Sequence, residues 1–208
     1  MSTNPNEPKI GLVLLAAGGS RRLGTPKQLL TWRGKSLLRR SAEAALASRC
    51  APVIVVLGAD AEMLAGELRG LELRAIINPD WEEGIGSSIR AGVSVLKDAE
   101  PEPDAALLAL CDQALIEHRH LNDLAAAFSA SRPLVAASRY GDAVGAPAVF
   151  HCSLFDDLAR LAGDQGAKKI ILRHLQSAVF IDLPEGNLDI DTAEDYARLL
   201  NSMPGPNP

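Results

Sequence analysis

Short apolar runs alternate along this chain with longer segments in which apolar positions recur every three or four residues. The runs Ile10–Leu15, Pro52–Leu57, Leu73–Ile77, Ala105–Leu110, Leu134–Ala137, Ala148–Phe150 and Ala178–Ile181 predict strands. Several are apolar throughout instead of alternating, as expected of strands covered on both faces. The helix-period segments between them are Ser36–Ser48, Ala59–Arg69, Ser87–Lys97, Glu117–Ser129, Leu154–Leu161, Ala167–Leu175 and Thr192–Leu200. Strand and helix units of this length in alternation predict a three-layer α/β domain with a mostly parallel sheet. No fixed-period repeat or long linker interrupts the pattern. A single domain over residues 9–201 follows, with polar, proline-bearing tails at 1–8 and 202–208.

Ligands of such sheets sit where strands run into helices, so the loops after the strands carry the candidate chemistry. The first of them reads Leu15-Ala16-Ala17-Gly18-Gly19-Ser20-Arg21-Arg22-Leu23-Gly24-Thr25-Pro26-Lys27. Small residues and paired glycines let backbone N–H groups approach an anion closely. Arg22 and Lys27 add two cations. At an effective dielectric near 20, a cation ~4 Å from a phosphate charge contributes about 4 kcal/mol before desolvation. Two such cations could hold a triphosphate. The loop is not a Walker A motif, because Gly24 is followed by Thr25, and the spacing of Gly18, Gly19 and Gly24 does not make the dinucleotide fingerprint.

Charge narrows the possibilities. With 21 Lys+Arg against 26 Asp+Glu, the net charge is −5, which argues against a nucleic-acid partner but permits a local basic pocket. The longest uncharged apolar stretch, Ile10–Gly19, is about half of the ~20 residues a membrane span needs, so no membrane partner is expected. Residues Met1–Pro8 lack the basic and apolar regions of a secretory signal. Three scattered cysteines, Cys50, Cys111 and Cys152, form no CxxC pair. A cytoplasmic protein with reduced thiols is the expectation.

Other strand ends add candidates. Asp112 closes the run Ala109-Leu110-Cys111-Asp112-Gln113, where a carboxylate can hold Mg2+ or simply cap a turn. In Asp189-Ile190-Asp191-Thr192-Ala193-Glu194-Asp195, Asp191 or Thr192 is placed to cap the last helix. Gly86-Ser87-Ser88 opens another helix, and either serine would serve as its cap. Trp81, just before it, reads as packing. The His118-Arg119-His120 spacing puts two rings on diverging helical faces, so a metal cluster with Glu117 is not expected. No serine-hydrolase elbow is present.

Taken together, Leu15-Ala16-Ala17-Gly18-x-Ser20-x-Arg22-Leu23-Gly24-x-Pro26-Lys27-x-Leu29-Leu30, Cys111-Asp112-Gln113 and Asp189-x-Asp191-Thr192-x-Glu194-Asp195 resemble the molybdenum-cofactor (MobA-like) branch of the nucleotidyltransferases. Ala114 and Ala193 stand where that pattern has proline. The resemblance spans roughly Ile10–Leu200 and implies the three-layer αβα, Rossmann-like sheet of nucleotidyltransferases. It implies that Leu15, Ala16, Ala17, Gly18, Gly19 and Ser20 wrap a nucleoside triphosphate while Arg22 and Lys27 bind its phosphates. By the same resemblance, Asp112 and Asp191 hold Mg2+, and Gly86, Ser87 and Ser88 contact base and ribose. Segments 145–148 and 163–167 resemble the acceptor side, where Lys168 and Lys169 could meet an anion. Ala16-Ala17-Gly18 resembles the cytidylyl members, which favours CTP over other triphosphates. The implied reaction is CMP transfer to molybdopterin, with a molybdoenzyme as a candidate recipient protein. The alternatives are another acceptor such as a sugar phosphate, or a maturation factor that binds nucleotide or cofactor without turnover.

Overall fold

The computed structural model describes residues 7–20, 22–184 and 189–201. Strand β1 (Ile10–Ala16) is buried along its whole length and lies in the interior of a seven-stranded sheet. Beside it run β4 (Val53–Leu57) and β6 (Ala105–Leu110), both parallel to it, and β5 (Arg74–Ile77) extends the β4 side. Beyond β6 come β8 (Ala143–His151), β7 (Val135–Tyr140) and β9 (Val179–Asp182), giving the order β5-β4-β1-β6-β8-β7-β9. Only β8 of these described strands is antiparallel to its neighbours.

The continuous apolar run of β1 now has its cause. Successive side chains point to opposite faces of the sheet. Leu12 and Leu14 enter the core under α1 (Leu37–Ala47) and α4 (His118–Ser131), with Val55, Leu107 and Phe128. Val13 and Leu15 enter the other core, with Ile54, Val56, Leu108 and Phe150. That second core is covered by α3 (Ile85–Lys97), α5 (Phe155–Ala159) and α6 (Lys168–Arg173). Burying such a side chain contributes roughly 1.5–3 kcal/mol, so a strand apolar on both faces is held from two sides.

Local signals set the helix ends. The Ser36 side chain accepts from Arg39 N–H at 3.1 Å and starts α1. Glu117 and His120 exchange side-chain and backbone bonds in a capping box at the head of α4. That is what the His-x-His spacing does: His120 Nδ1 is committed to the Glu117 N–H at 3.0 Å. The short α2 (Ala61–Glu67) and the terminal α7 (Ala193–Asn201) complete the helices of the described residues.

Several elements differ from the sequence pattern, among them α2 (Ala61–Glu67) and α5, each shorter at both ends than expected, and β7, which runs on to Tyr140. The strand expected at Ala148–Phe150 runs from Ala143 to His151, because its first half is built of small, partly exposed residues that carry no apolar signature. A two-stranded ribbon, β2 (Thr31–Trp32) with β3 (Lys35–Ser36), was not expected; two-residue strands are too short to show a period. Helix α6 is shorter at both ends than the Ala167–Leu175 segment that predicted it. Of the expected tails, residues 1–6 and 202–208 lie outside the described residues, as does Arg21 in the first loop. Pro8 is buried. No described helix is long and apolar enough to cross a membrane.

Candidate active site

The loop leaving β1 is shaped from beneath by Gln28, a residue that carries no motif signal in the sequence. Gln28 is 2% exposed, and its Nε2 donates to the carbonyls of Ala16 at 2.9 Å and Gly18 at 2.7 Å. Its Oε1 accepts from Ser20 Oγ at 3.2 Å, and that same Oγ accepts from Lys27 N–H at 2.8 Å. Ser20 and Gln28 therefore fasten the two ends of the loop together. Gly19 is needed for a close approach: a Cβ there would stand 2.9 Å from Trp81 Cζ3. Trp81 packs against this glycine and Gly58, as its packing role predicted, and forms one wall of a cavity of about 400 Å3. Leu15 to Gly19 line that cavity together with Lys27, Ser88 and Asp112.

Asp112 follows the C-terminal end of β6. The segment carrying Asp191 is brought alongside by Ile190, fully buried, whose N–H donates to the Asp112 carbonyl at 3.1 Å. A bridge between Gln113 and Asp189 adds to this. Lys27 Nζ reaches both carboxylates, Asp112 Oδ2 at 2.6 Å and Asp191 Oδ1 at 2.8 Å. Arg22, largely exposed, stands 3.6 Å from Asp191 Oδ2. Four residues singled out in three separate segments thus converge. Burial works against the Lys27 charge, but the charge and hydrogen bond of Asp112, with Asp191 adding, hold the ammonium above its ordinary range. Burial, then the charge of Asp112, pushes the Asp189 carboxyl up. Cys111, buried beside the site, has its thiol pushed up by burial and then by Asp112, which leaves it a packing residue.

Asp191 is not the helix cap. Thr192 Oγ1 accepts from Asp195 N–H at 3.2 Å and Asp195 Oδ2 accepts from Thr192 N–H at 2.8 Å, so that pair starts α7 and leaves the Asp191 carboxylate to the cations. Ala193, where the family pattern has proline, occupies the first helical position, which tolerates either residue.

The donor set suits a hard divalent cation. Two carboxylates share one contact atom, and Asp112 Oδ1 is buried with no hydrogen-bond partner. No group of three or more His, Cys, Asp or Glu side chains is arranged for a metal among the described residues. Two protein oxygens with substrate phosphates and water as the remaining ligands is the arrangement Mg2+ commonly takes.

Of Gly86, Ser87 and Ser88, Ser88 lines the cavity while the other two are used internally. Buried Asn78 donates to Ser87 Oγ at 2.8 Å and Ser88 Oγ at 3.0 Å, and Ser87 Oγ donates to the Gly84 carbonyl at 2.9 Å. Gly86 N–H donates to the Gly163 carbonyl at 3.0 Å, and a Cβ on Gly86 would meet Ala162 N at 2.9 Å. Asn78 gave no motif signal; its sole hint was a polar residue closing an apolar run.

A second cavity of about 330 Å3 adjoins the first and shares Leu15, Ile85 and Leu110 with it. Gly145, Ala146 and Ala148 of β8 line it, facing Gly166, Ala167 and Lys168. Gln113 Nε2 donates to the Ala146 carbonyl at 3.0 Å and ties this wall to the Asp112 turn. Lys169 instead reaches Gln165 Oε1 at 3.2 Å on the exposed side.

Comparison with known proteins agrees with this fold. Over 207 residues the chain is 33% identical to nicotine blue oxidoreductase of Paenarthrobacter nicotinovorans, covering 93% of this chain and 97% of that protein. It is 31% identical over 203 residues to the purine catabolism protein PucB of Bacillus subtilis strain 168, covering 92% and 96%. The crystal structure of Rv0371c from Mycobacterium tuberculosis H37Rv superposes with a TM-score of 0.82 at 31% identity, covering 94% of this chain and 98% of that one. Rv0371c has also been solved in complex with manganese; that structure gives a TM-score of 0.78 at 28% identity, covering 94% and 100%. Residues 12–178 match the MobA-like NTP transferase domain, and the chain belongs to that family.

Proposed function

We propose that the chain is a Mg2+-dependent cytidylyltransferase that moves CMP from CTP to the terminal phosphate of molybdopterin and releases pyrophosphate. The observation that carries this reading is the convergence of Lys27, Asp112 and Asp191 at a cavity floored by the Leu15–Gly19 loop. Family membership supports a nucleoside triphosphate as donor, the manganese complex of Rv0371c supports a divalent metal, and Ala16-Ala17-Gly18 favours CTP.

An acceptor phosphate oxygen forms a bond to the α-phosphorus as the bond from that phosphorus to the β-phosphate oxygen breaks. The reactants are both anions, so the protein's task is positioning and charge stabilisation. Lys27 and Arg22 carry charge on the departing pyrophosphate. Asp112 and Asp191 would hold the metal, which supplies a positive charge to draw the two anions together. Ser88 and the Leu15–Gly19 backbone orient the nucleotide, and the second cavity receives the acceptor beside it. No general base is required, because the attacking phosphate is already ionised at neutral pH.

The test is pyrophosphate release from each of four nucleoside triphosphates with Mg2+ and candidate acceptors. Release from CTP with molybdopterin is the expected result. Release with a sugar phosphate instead reassigns the acceptor. Triphosphate binding with neither pyrophosphate release nor redox turnover favours a maturation factor that binds nucleotide without using it. A second reading is favoured by one observation, the full-length similarity to a protein named as an oxidoreductase. Hydride transfer between a nicotinamide dinucleotide and an organic substrate in the same preparation, with no pyrophosphate formed, would establish it.

A further inference from the structure

The main chain of Lys27 is fixed while its side chain is positioned to move. Its N–H is held by Ser20 Oγ at 2.8 Å, and the residue opens the short 3-10 turn Lys27–Leu29. Its ammonium lies at the far end of a flexible stem, 2.6 Å from Asp112 Oδ2 and 2.8 Å from Asp191 Oδ1. Both carboxylate oxygens face the point that this one nitrogen occupies, so a cation taking its place would be addressed by both. The ammonium is an imperfect occupant of this position, since it leaves the buried Asp112 Oδ1 without a partner.

We propose that the Lys27 ammonium holds the divalent cation's place between Asp112 and Asp191 until a triphosphate draws it away, so that metal and nucleotide enter the site as a coupled pair. This rests on the reading of the cavity as a triphosphate and metal site. A metal arriving alone must break two short charge-assisted hydrogen bonds and then stand beside a displaced cation of like sign. A triphosphate changes that balance, because the cavity that Lys27 lines then offers the ammonium several anionic oxygens. The coupling is reciprocal: whatever the nucleotide adds to metal affinity, the metal adds to nucleotide affinity.

The test measures Mn2+ binding to the full chain without nucleotide, from the electron paramagnetic resonance signal of the free ion. Wild type is compared with Lys27→Gln and Lys27→Met, with folding followed by circular dichroism. Both variants are expected to bind Mn2+ at least tenfold more tightly than wild type, and adding Asp112→Asn to Lys27→Gln should abolish the gain. Unchanged or weaker binding in both variants, or a gain that survives Asp112→Asn, overturns the proposal. A measurement on the wild type guards against variants that fail to fold. The 15N-labelled Lys27 ammonium resonance should move when CTP is added without metal and stay in place with Mg2+ alone; movement with Mg2+ alone overturns the proposal. Pyrophosphate release is followed separately. Tighter Mn2+ binding by the variants without release in wild type defeats the transferase reading alone, whereas release with unchanged Mn2+ binding defeats the placeholder alone.

Discussion

Neutralising Asp112 while keeping its shape separates binding from chemistry. Asp112→Asn leaves the Leu15–Gly19 loop and Ser88 untouched, so triphosphate binding measured without metal should persist while turnover with metal falls by roughly 10²-fold or more, the order seen when a charge-stabilising group is deleted. Isothermal titration for binding and pyrophosphate release for turnover check the two halves; unchanged turnover would remove Asp112 from the reaction. Gln28→Ala tests the scaffold beneath. It strips the Ala16 and Gly18 carbonyls of their donor, and leaving buried acceptors unpaired should lower stability by about 1–3 kcal/mol on thermal or urea unfolding. At this scale, Arg22, Lys27, Asp112 and Asp191 were legible because charge in a small-residue loop or at a strand end is conspicuous. Gln28 and Asn78 were not: each works through groups that only the fold brings within reach.

Helix α7 shows how an element's ends serve the site. Asp195 accepts hydrogen bonds from Thr192 Oγ1 and from the N–H groups of Asp191 and Thr192, so one carboxylate caps the helix and orients the Asp191 backbone. The Thr192 side chain, opposed by burial and helped by those N–H groups, holds the Asp195 carboxyl below its ordinary range. A depressed folded pKa stabilises the folded state fully above the unfolded value and is lost as pH falls through the folded one. Acidification below about pH 4 should therefore loosen α7. Asp195→Asn should be less stable than wild type at neutral pH and flatter in its stability profile between neutrality and acid; parallel profiles for the two proteins would refute this. The element pattern was otherwise readable, since buried strands and amphipathic helices each carry a period. What escaped were the two-residue ribbon strands and the first half of β8, whose small residues face a cavity and have no apolar period to display.

At the scale of the molecule, the two cores flanking the sheet govern which thiols meet solvent. Cys50 and Cys111 are buried, and burial pushes the Cys50 thiol up to about 11 and the Cys111 thiol higher still. Cys152 is partly exposed. Labelling with a thiol reagent at pH 7.5 should modify one cysteine in the native protein and three after denaturation. A second fast-reacting thiol in the native state would contradict the packing of the Cys111 strand end. The αβα layering and the place of the glycine-rich loop after the first strand were legible at this scale from alternation; the direction of β8 was not, because apolarity is the same read either way.

That reversed strand separates the two halves of the site into independently variable parts. Because β8 runs against its neighbours, the beginning of the strand lies towards the C-terminal end of β6, and the hairpin turning at Gly141–Asp142 supplies one side of the second cavity. The Leu15–Gly19 loop, Lys27 and Asp112 belong to other stretches of chain. Exchanging this one hairpin among relatives could therefore change what is modified without disturbing how the nucleotide is held, a division of labour through which a common scaffold can acquire unlike substrates.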